Sequence, residues 1–177
     1  MSFKELVNER QSARKYKTEA VPAEAIASCI EAARIAPSAC NAQPWKFIIV
    51  DDEALRRQVG EAAVNMGMNN FCLHVPCIVA VVLEKPNVLS AVGSVLKDKE
   101  YTLMDVGIAA EHFCLQAAEL GLGTCMIGWF DEKKVQALLG IPKNKRVPLL
   151  ITLGYADDAP RAKKRKTTAE MCSKNHY

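Results

Sequence analysis

The sequence predicts a layered domain of the α+β or α/β class, and three observations predict it. Segments with helical spacing of apolar residues alternate with β-branched runs in the order α-α-β-α-β-α-β-α-β, with no internal repeat and no linker. One stretch, Cys77 to Leu83, carries no polar residue, as a central strand buried on both faces requires. The chain has 177 residues, 50% of them hydrophobic and 24% charged. That length suits one core spanning residues 1–177, and that composition excludes intrinsic disorder. The 9 Gly and 8 Pro are scattered without a period, which excludes collagen-like and coiled-coil classes.

Each element has its own warrant. Phe3, Leu6 and Val7 follow helical spacing and predict a short helix from about Ser2 to Glu9. Pro22 opens a second helix with Ile26, Cys29, Ile30 and Ala33 on one face and Pro37 just past its end. Lys46 to Val50 is a β-branched run and reads as a strand. Asp51 or Asp52 can cap a third helix, about Glu53 to Val64, whose first turn carries the acids a helix dipole favours.

Residues 99–120 form the longest helical pattern, with Leu103, Val106, Ala110, Phe113, Ala117 and Leu120 as its main stripe. Ile108, Ala109, Cys114, Leu115 and Ala118 widen that stripe almost all round, so the helix belongs at a core centre or in a subunit interface. Thr124 to Gly128 is a short strand. Asp131 caps a helix with Val135, Leu138 and Leu139 inside, closed by Gly140 and Pro142. Val147 to Tyr155 is the last strand.

Net charge is +3, and its placement is uneven. Residues 156–177 form a basic C-terminal extension with six Lys or Arg against three acids, so the preceding body is neutral. No second basic stripe or exposed aromatic series accompanies it, so nucleic acid is not an expected partner. A solvated terminus or a small phosphate ligand is the alternative. The seven cysteines form no CxxC pair and the three histidines lie far apart, so no metal-ligand spacing appears. Most of the cysteines read as small core residues of a reduced, cytoplasmic protein. The longest apolar run falls far short of the ~20 residues that span a bilayer, and the first residues lack the apolar stretch of a signal peptide. No membrane partner is expected.

Familiar catalytic motifs fail on inspection. Gly121-Leu122-Gly123 follows a helix, whereas a dinucleotide fingerprint follows a strand, and Met126 stands where its third glycine belongs. Gly123 and Gly128 have phosphate-loop spacing, but Trp129 and Phe130 replace the obligatory Lys and Ser/Thr. Neither GxSxG nor HExxH occurs. Two segments remain that a core does not require. Arg10-Gln11-Ser12-Ala13-Arg14 places two guanidiniums and a hydroxyl where they can grip a phosphate. Ala36 to Trp45 is held extended by Pro37 and Pro44, and its Ser38, Asn41 and Gln43 suit hydrogen bonds to a polar, planar heterocycle.

Together these segments resemble the nitroreductase family of flavin enzymes. Arg10, Ser12 and Arg14 meet its pattern Arg-x-Ser-x-Arg, and Ala33 through Trp45 matches Ala-Arg-x-Ala-Pro-Ser-x-x-Asn-x-Gln-Pro-Trp without a gap. Asp105 to Glu111, Leu120 to Thr124 and Ile127 to Asp131 fit as well, so the resemblance covers nearly the whole chain. It implies an α+β sandwich with a four- or five-stranded, mostly antiparallel sheet, interlocked as a homodimer with FMN at each end of the interface. Arg10, Ser12 and Arg14 would then hold the phosphate, ribityl chain and pyrimidine edge, with Lys163 and Arg165 completing the phosphate site. Pro37, Ser38 and Asn41 would reach the flavin from the other subunit, and the backbone of Ile127 and Gly128 would approach its N5 edge. Asn69 and Asn70 are candidates for bonds to the ring.

The implied activity is transfer of hydride from NADH or NADPH through FMN to a small-molecule acceptor, in ping-pong order, with no side chain as nucleophile or metal ligand. Nitroaromatics, quinones and free flavins are the implied acceptors. Dehalogenation, ring oxidation and flavin breakdown are alternatives within the same family, and a flavin-binding protein without turnover is an alternative outside it. Residues 72–100 match no family pattern, so the substrate-facing segment is not specified.

Overall fold

The computed structural model describes residues 1–177, the side chains of Leu89 and Val95 excepted. Helix α1 spans Phe3–Glu9 and opens with a capping box, in which Ser2 Oγ accepts from the Glu5 amide and the Glu5 carboxylate accepts from the Ser2 amide. Helix α2 (Ala23–Arg34) follows Pro22 and buries Ile26, Cys29 and Ala33. A 3₁₀ turn at Ala39–Asn41 leads to strand β1 (Trp45–Val50). Asp52 caps helix α3 (Glu53–Ala63) by accepting from the Leu55 amide. After a second 3₁₀ turn at Asn70–Leu73 come strand β2 (Cys77–Leu83) and helices α4 (Val88–Lys97) and α5 (Tyr101–Glu119). Strand β3 (Gly123–Ile127), helix α6 (Glu132–Leu138, capped by Asp131), strand β4 (Arg146–Gly154) and the short helix α7 (Thr168–Met171) complete the order.

The four strands make one antiparallel sheet in the order β1-β2-β4-β3. Strand β2 is an inner strand, and its alternating side chains serve two cores. Ile78, Ala80 and Val82 pack with Val59, Ala62 and Ala63 of α3 and Val135 of α6 on one face. Cys77, Val79 and Val81 pack with α2 and α5 on the other, where Phe47 stacks on Phe113 with centroids 5.9 Å apart. The polar-free run is therefore buried on both faces. The architecture is an α+β sandwich.

One helix has no counterpart among the elements expected from the sequence. Helix α4 precedes the pattern that begins at residue 99 and ends at Asp98, in the left-handed region (φ 49°), before α5 begins. Its Val88, Val92 and Leu96 recur at helical spacing but face solvent rather than a core. Within this chain helix α5 is buried on one side and exposed on the other. Val106, Ala110, Phe113 and Ala117 are in the core, while Leu103, Met104 and Ile108 remain 43%, 50% and 38% exposed.

The edge of β3 positions the candidate site. Ser12 bridges Thr124 in parallel, and the Ala13 amide donates to Thr124 O at 2.9 Å. Further along, Lys17 donates to Tyr155 O and Asp157 donates to Lys15 O. Residues 10–17 thus lie between the β3 edge and the chain leaving β4. Among the described residues no helix is long and apolar enough to cross a membrane.

Candidate functional site

Arg10, Ser12, Arg14, Lys163 and Arg165 line one cavity of about 340 Å³, together with Gln11, Arg161 and Lys164, and no acid lines it. The residues come together because the chain after β4 crosses back over residues 10–14. The Arg161 amide donates to Gln11 Oε1 at 3.0 Å, and Gln11 Nε2 donates to Ala159 O at 3.3 Å. The Arg161 guanidinium donates to Ser12 O, and the Lys163 ammonium donates to Arg10 O. Burial, with Arg10 and Arg165 close by, holds the Lys163 pKa below the ordinary lysine value. An anion in the cavity would reverse that shift. Outside the lining, Glu111 of α5 pairs with Arg10 at 3.2 Å and Asp158 pairs with Arg161 at 3.6 Å, which fixes two of the cations at the rim.

The floor beneath this segment is rigid. The Tyr16 hydroxyl lies 2.9 Å from Ala13 O and 2.7 Å from Thr152 Oγ1, and Thr152 Oγ1 lies 3.3 Å from Cys125 O. All of this is buried, and burial drives the Tyr16 pKa far above its ordinary value. A Cβ at Gly123 would come within 2.8 Å of Ala13 Cβ and 2.9 Å of Ala156 Cβ. Only glycine lets residues 10–16 and the chain after β4 both sit against the start of β3.

Pro37, Ser38 and Asn41 do not line the basic cavity. They sit by α5 in a segment that is not extended, contrary to the expectation from its two prolines. Ser38 is extended (φ −146°), but Cys40, Asn41 and Gln43 are left-handed at φ 52°, 51° and 46°. Local bonds cause the curl. The Gln43 amide donates to Ser38 Oγ at 3.0 Å, and Gln43 Nε2 donates to Asn41 O and Oδ1 at 3.2 and 3.0 Å. Two distant side chains hold it, since Asp105 Oδ1 accepts from the Ala39 amide at 3.0 Å and Asn87 Nδ2 donates to Cys40 O at 2.9 Å.

Ile127 ends β3 and Gly128 follows it, roughly 10 and 13 Å along the chain from Thr124 at the usual rise. Ile127 is buried, whereas Gly128 is exposed and a Cβ there would meet nothing within 4 Å. Both amide donors of Asn69 are used, and one of the two of Asn70. Asn69 Nδ2 bonds Ala63 O and Trp129 O, and Asn70 Nδ2 bonds Gly67 O, each at 3.2 Å. The same strand therefore joins a cationic cradle to an uncovered backbone, an arrangement suited to a long ligand with an anionic end and a flat end.

The chain's own groups offer binding more than covalent chemistry. Among the described residues no group of three or more His, Cys, Asp or Glu is placed to hold a metal ion. Burial pushes the thiols up, Cys29 to about 11 and Cys72, Cys77 and Cys114 to about 12, so these are not thiolates at neutral pH. Sequence reasoning missed Gln11, Arg161, Asp105, Asn87 and Glu111. A signal existed for Arg161, because 161, 163 and 165 alternate like one face of an extended chain. Asp105 and Glu111 were the acids inside an apolar helical stripe.

Known proteins resemble this chain in sequence and in fold. The sequence model of the nitroreductase family matches residues 7–155. The chain is 28% identical over 170 residues to an iodotyrosine deiodinase of Thermotoga neapolitana, covering 87% of this chain and 88% of that protein. It is 28% identical over 194 residues to an oxygen-insensitive NADPH nitroreductase of Helicobacter acinonychis, covering 92% and 91%. An FMN-dependent nitroreductase of Clostridium difficile superposes with a TM-score of 0.81 at 26% identity, covering 97% of this chain and 98% of that one.

Proposed function

The chain belongs to the nitroreductase family, and on that premise we propose that it is an FMN-dependent oxidoreductase drawing on NADH or NADPH to reduce nitroaromatics, quinones or related small molecules. The observation that carries the proposal is the acid-free cationic cavity at one end of β3 with the uncovered Gly128 at the other. These residues fit the cofactor, because a phosphate of nearly two negative charges calls for several cations. FMN, when bound, accepts hydride from the nicotinamide and delivers electrons to the acceptor.

The protein binds, orients and shields. Arg10, Ser12 and Arg14 hold the phosphate, ribityl chain and pyrimidine edge, and Lys163 and Arg165 complete the charge balance. Ile127 and Gly128 present backbone to the ring, with no side chain at 128 to obstruct a flat ligand. Pro37, Ser38 and Asn41 serve the site of a second copy, since they lie outside the cavity of their own chain. The exposed Leu103, Met104 and Ile108 of α5 support that homodimer. One FMN-binding domain spans the chain, its basic extension supplying half of the cradle. In this reading nicotinamide and acceptor would take turns at the exposed ring, giving ping-pong kinetics.

The test is a visible absorbance spectrum of the purified protein with added FMN, then with NADH or NADPH under exclusion of air, then with a nitroaromatic or quinone. A flavin band that the nicotinamide bleaches and the acceptor restores supports the proposal. A protein that stays colourless after FMN is added and removed by desalting overturns it. Reductive dehalogenation is a second reading of the same site, favoured by the similarity to an iodotyrosine deiodinase. Halide release from an iodinated phenol separates the two.

A further inference from the structure

The segment Ser38–Gln43 poses a physical question that its sequence does not answer. Three of its residues, none of them glycine, occupy the left-handed region, which side chains with a Cβ enter only when neighbours hold them there. Local bonds from Gln43 close the curl but do not attach it to the rest of the protein. Attachment comes from two helices. Asp105, only 4% exposed on α5, accepts from the Ala39 amide, and Asn87 donates to the Cys40 carbonyl. The first grip precedes Cys40 and the second follows it.

Both gripping residues are themselves fixed. Asp105 is flanked by Val106, Ala109 and Ala110 in the core, so its position follows the helix rather than the loop. Asn87 Oδ1 accepts from the Ser90 amide at 2.9 Å and so caps α4. Asp105 is also costly. Its Oδ2 is buried with no hydrogen-bond partner among the described residues, in a helix whose other inward residues are apolar. A buried carboxylate half satisfied in this way contributes little to stability. Its visible work is on the Ala39 amide.

We propose that Asp105 and Asn87 are positioning residues that set the Ser38–Gln43 segment in the shape by which Ser38 and Asn41 meet the cofactor. The proposal rests on the FMN reading above. Asp105 does not touch the cofactor; it acts through the loop, and Asn87 ties the same loop to α4.

Amide hydrogen exchange on the full chain without cofactor, followed by FMN titration, tests this. In the Asp105→Ala variant, exchange at Ala39 and its loop neighbours rises at least about tenfold, the loss of one charged hydrogen bond, while amides of β2 and β4 keep their protection. Asp105→Asn retains the acceptor and stays near the wild-type rate. FMN affinity follows the same order, falling at least about tenfold in Asp105→Ala and recovering in Asp105→Asn. Unchanged exchange at Ala39 in Asp105→Ala overturns the proposal, as does a loosened loop with undiminished FMN affinity. If the wild-type chain binds no FMN, the FMN reading fails and the proposed role falls with it; the exchange data then show separately whether Asp105 holds the loop.

Discussion

The two segments that carry the candidate cofactor contacts are held by different means. Residues 10–16 are laid along the β3 edge by backbone bonds and pinned from below by the buried Tyr16–Thr152 pair. Residues 38–43 have no strand partner and hang on two side chains, Asp105 and Asn87. The first can move only if the sheet edge opens. The second can loosen locally while both cores stay intact, so it belongs to the less stable part of the fold. The same cofactor would thus meet a fixed phosphate end and an adjustable flat end.

The sharpest way to break this contrast is to wedge the rigid segment off its strand. Gly123→Val places its side chain against Ala13 and Ala156, where even a Cβ comes too close. It should cost about 3 kcal/mol of unfolding free energy in a urea titration and reduce FMN binding as well. Next in size is Arg14→Ala, which removes a cation from the cavity without touching either core. FMN affinity should fall roughly 10- to 100-fold with the melting temperature nearly unchanged. Asp105→Ala shares that pattern but loosens its loop, whereas Arg14→Ala leaves residues 38–43 protected.

Tyr16→Phe should cost less than Gly123→Val, about 1–2 kcal/mol, because Ala13 O and Thr152 Oγ1 lose a buried partner. Its effect on FMN should be smaller than that of Arg14→Ala, since the backbone bridge remains. The smallest effect is on pH dependence, and it belongs to the rigid end alone. Lys163 has its pKa lowered below the ordinary 10.5 by burial and by Arg10 and Arg165. Its charge is present below that lowered pKa and is lost as pH rises through it, so FMN affinity should decline severalfold on the alkaline side. Lys163→Met should abolish that decline while leaving any change shared by the other cations. A titration of FMN binding against pH checks it.

The sequence made the rigid end legible and the adjustable end only in part. Strand β2 could be read from a run with no polar residue, and α3 and α6 from the acids that cap them, because these signals are local. Arg10, Ser12 and Arg14 could be marked as a phosphate grip from their spacing. The curl at 38–43 could not. Its anchorage depends on Asp105, 66 residues away from Ala39, and on Asn87, 47 residues away from Cys40. Two prolines suggested an extended chain, but the local bonds of Gln43 curl it and distant partners hold the curl in place. Helix α4 differs, since its signal was local and went unread: Val88, Val92 and Leu96 recur at helical spacing, although they face solvent. The crossing of Arg161 over Ser12 joins residues 149 apart and left only the alternation of 161, 163 and 165 as a clue.

In the proposed function the cavity formed by residues 10–14 and the basic extension holds a phosphate. Side-by-side titration of the wild-type chain with FMN and with riboflavin tests it most directly, because the two ligands differ by that group alone. FMN should bind at least about 100-fold more tightly, as several charge-assisted bonds would give, and the preference should collapse in the Arg10→Ala, Arg14→Ala double variant. Equal affinity for the two ligands in the wild-type chain would contradict the account.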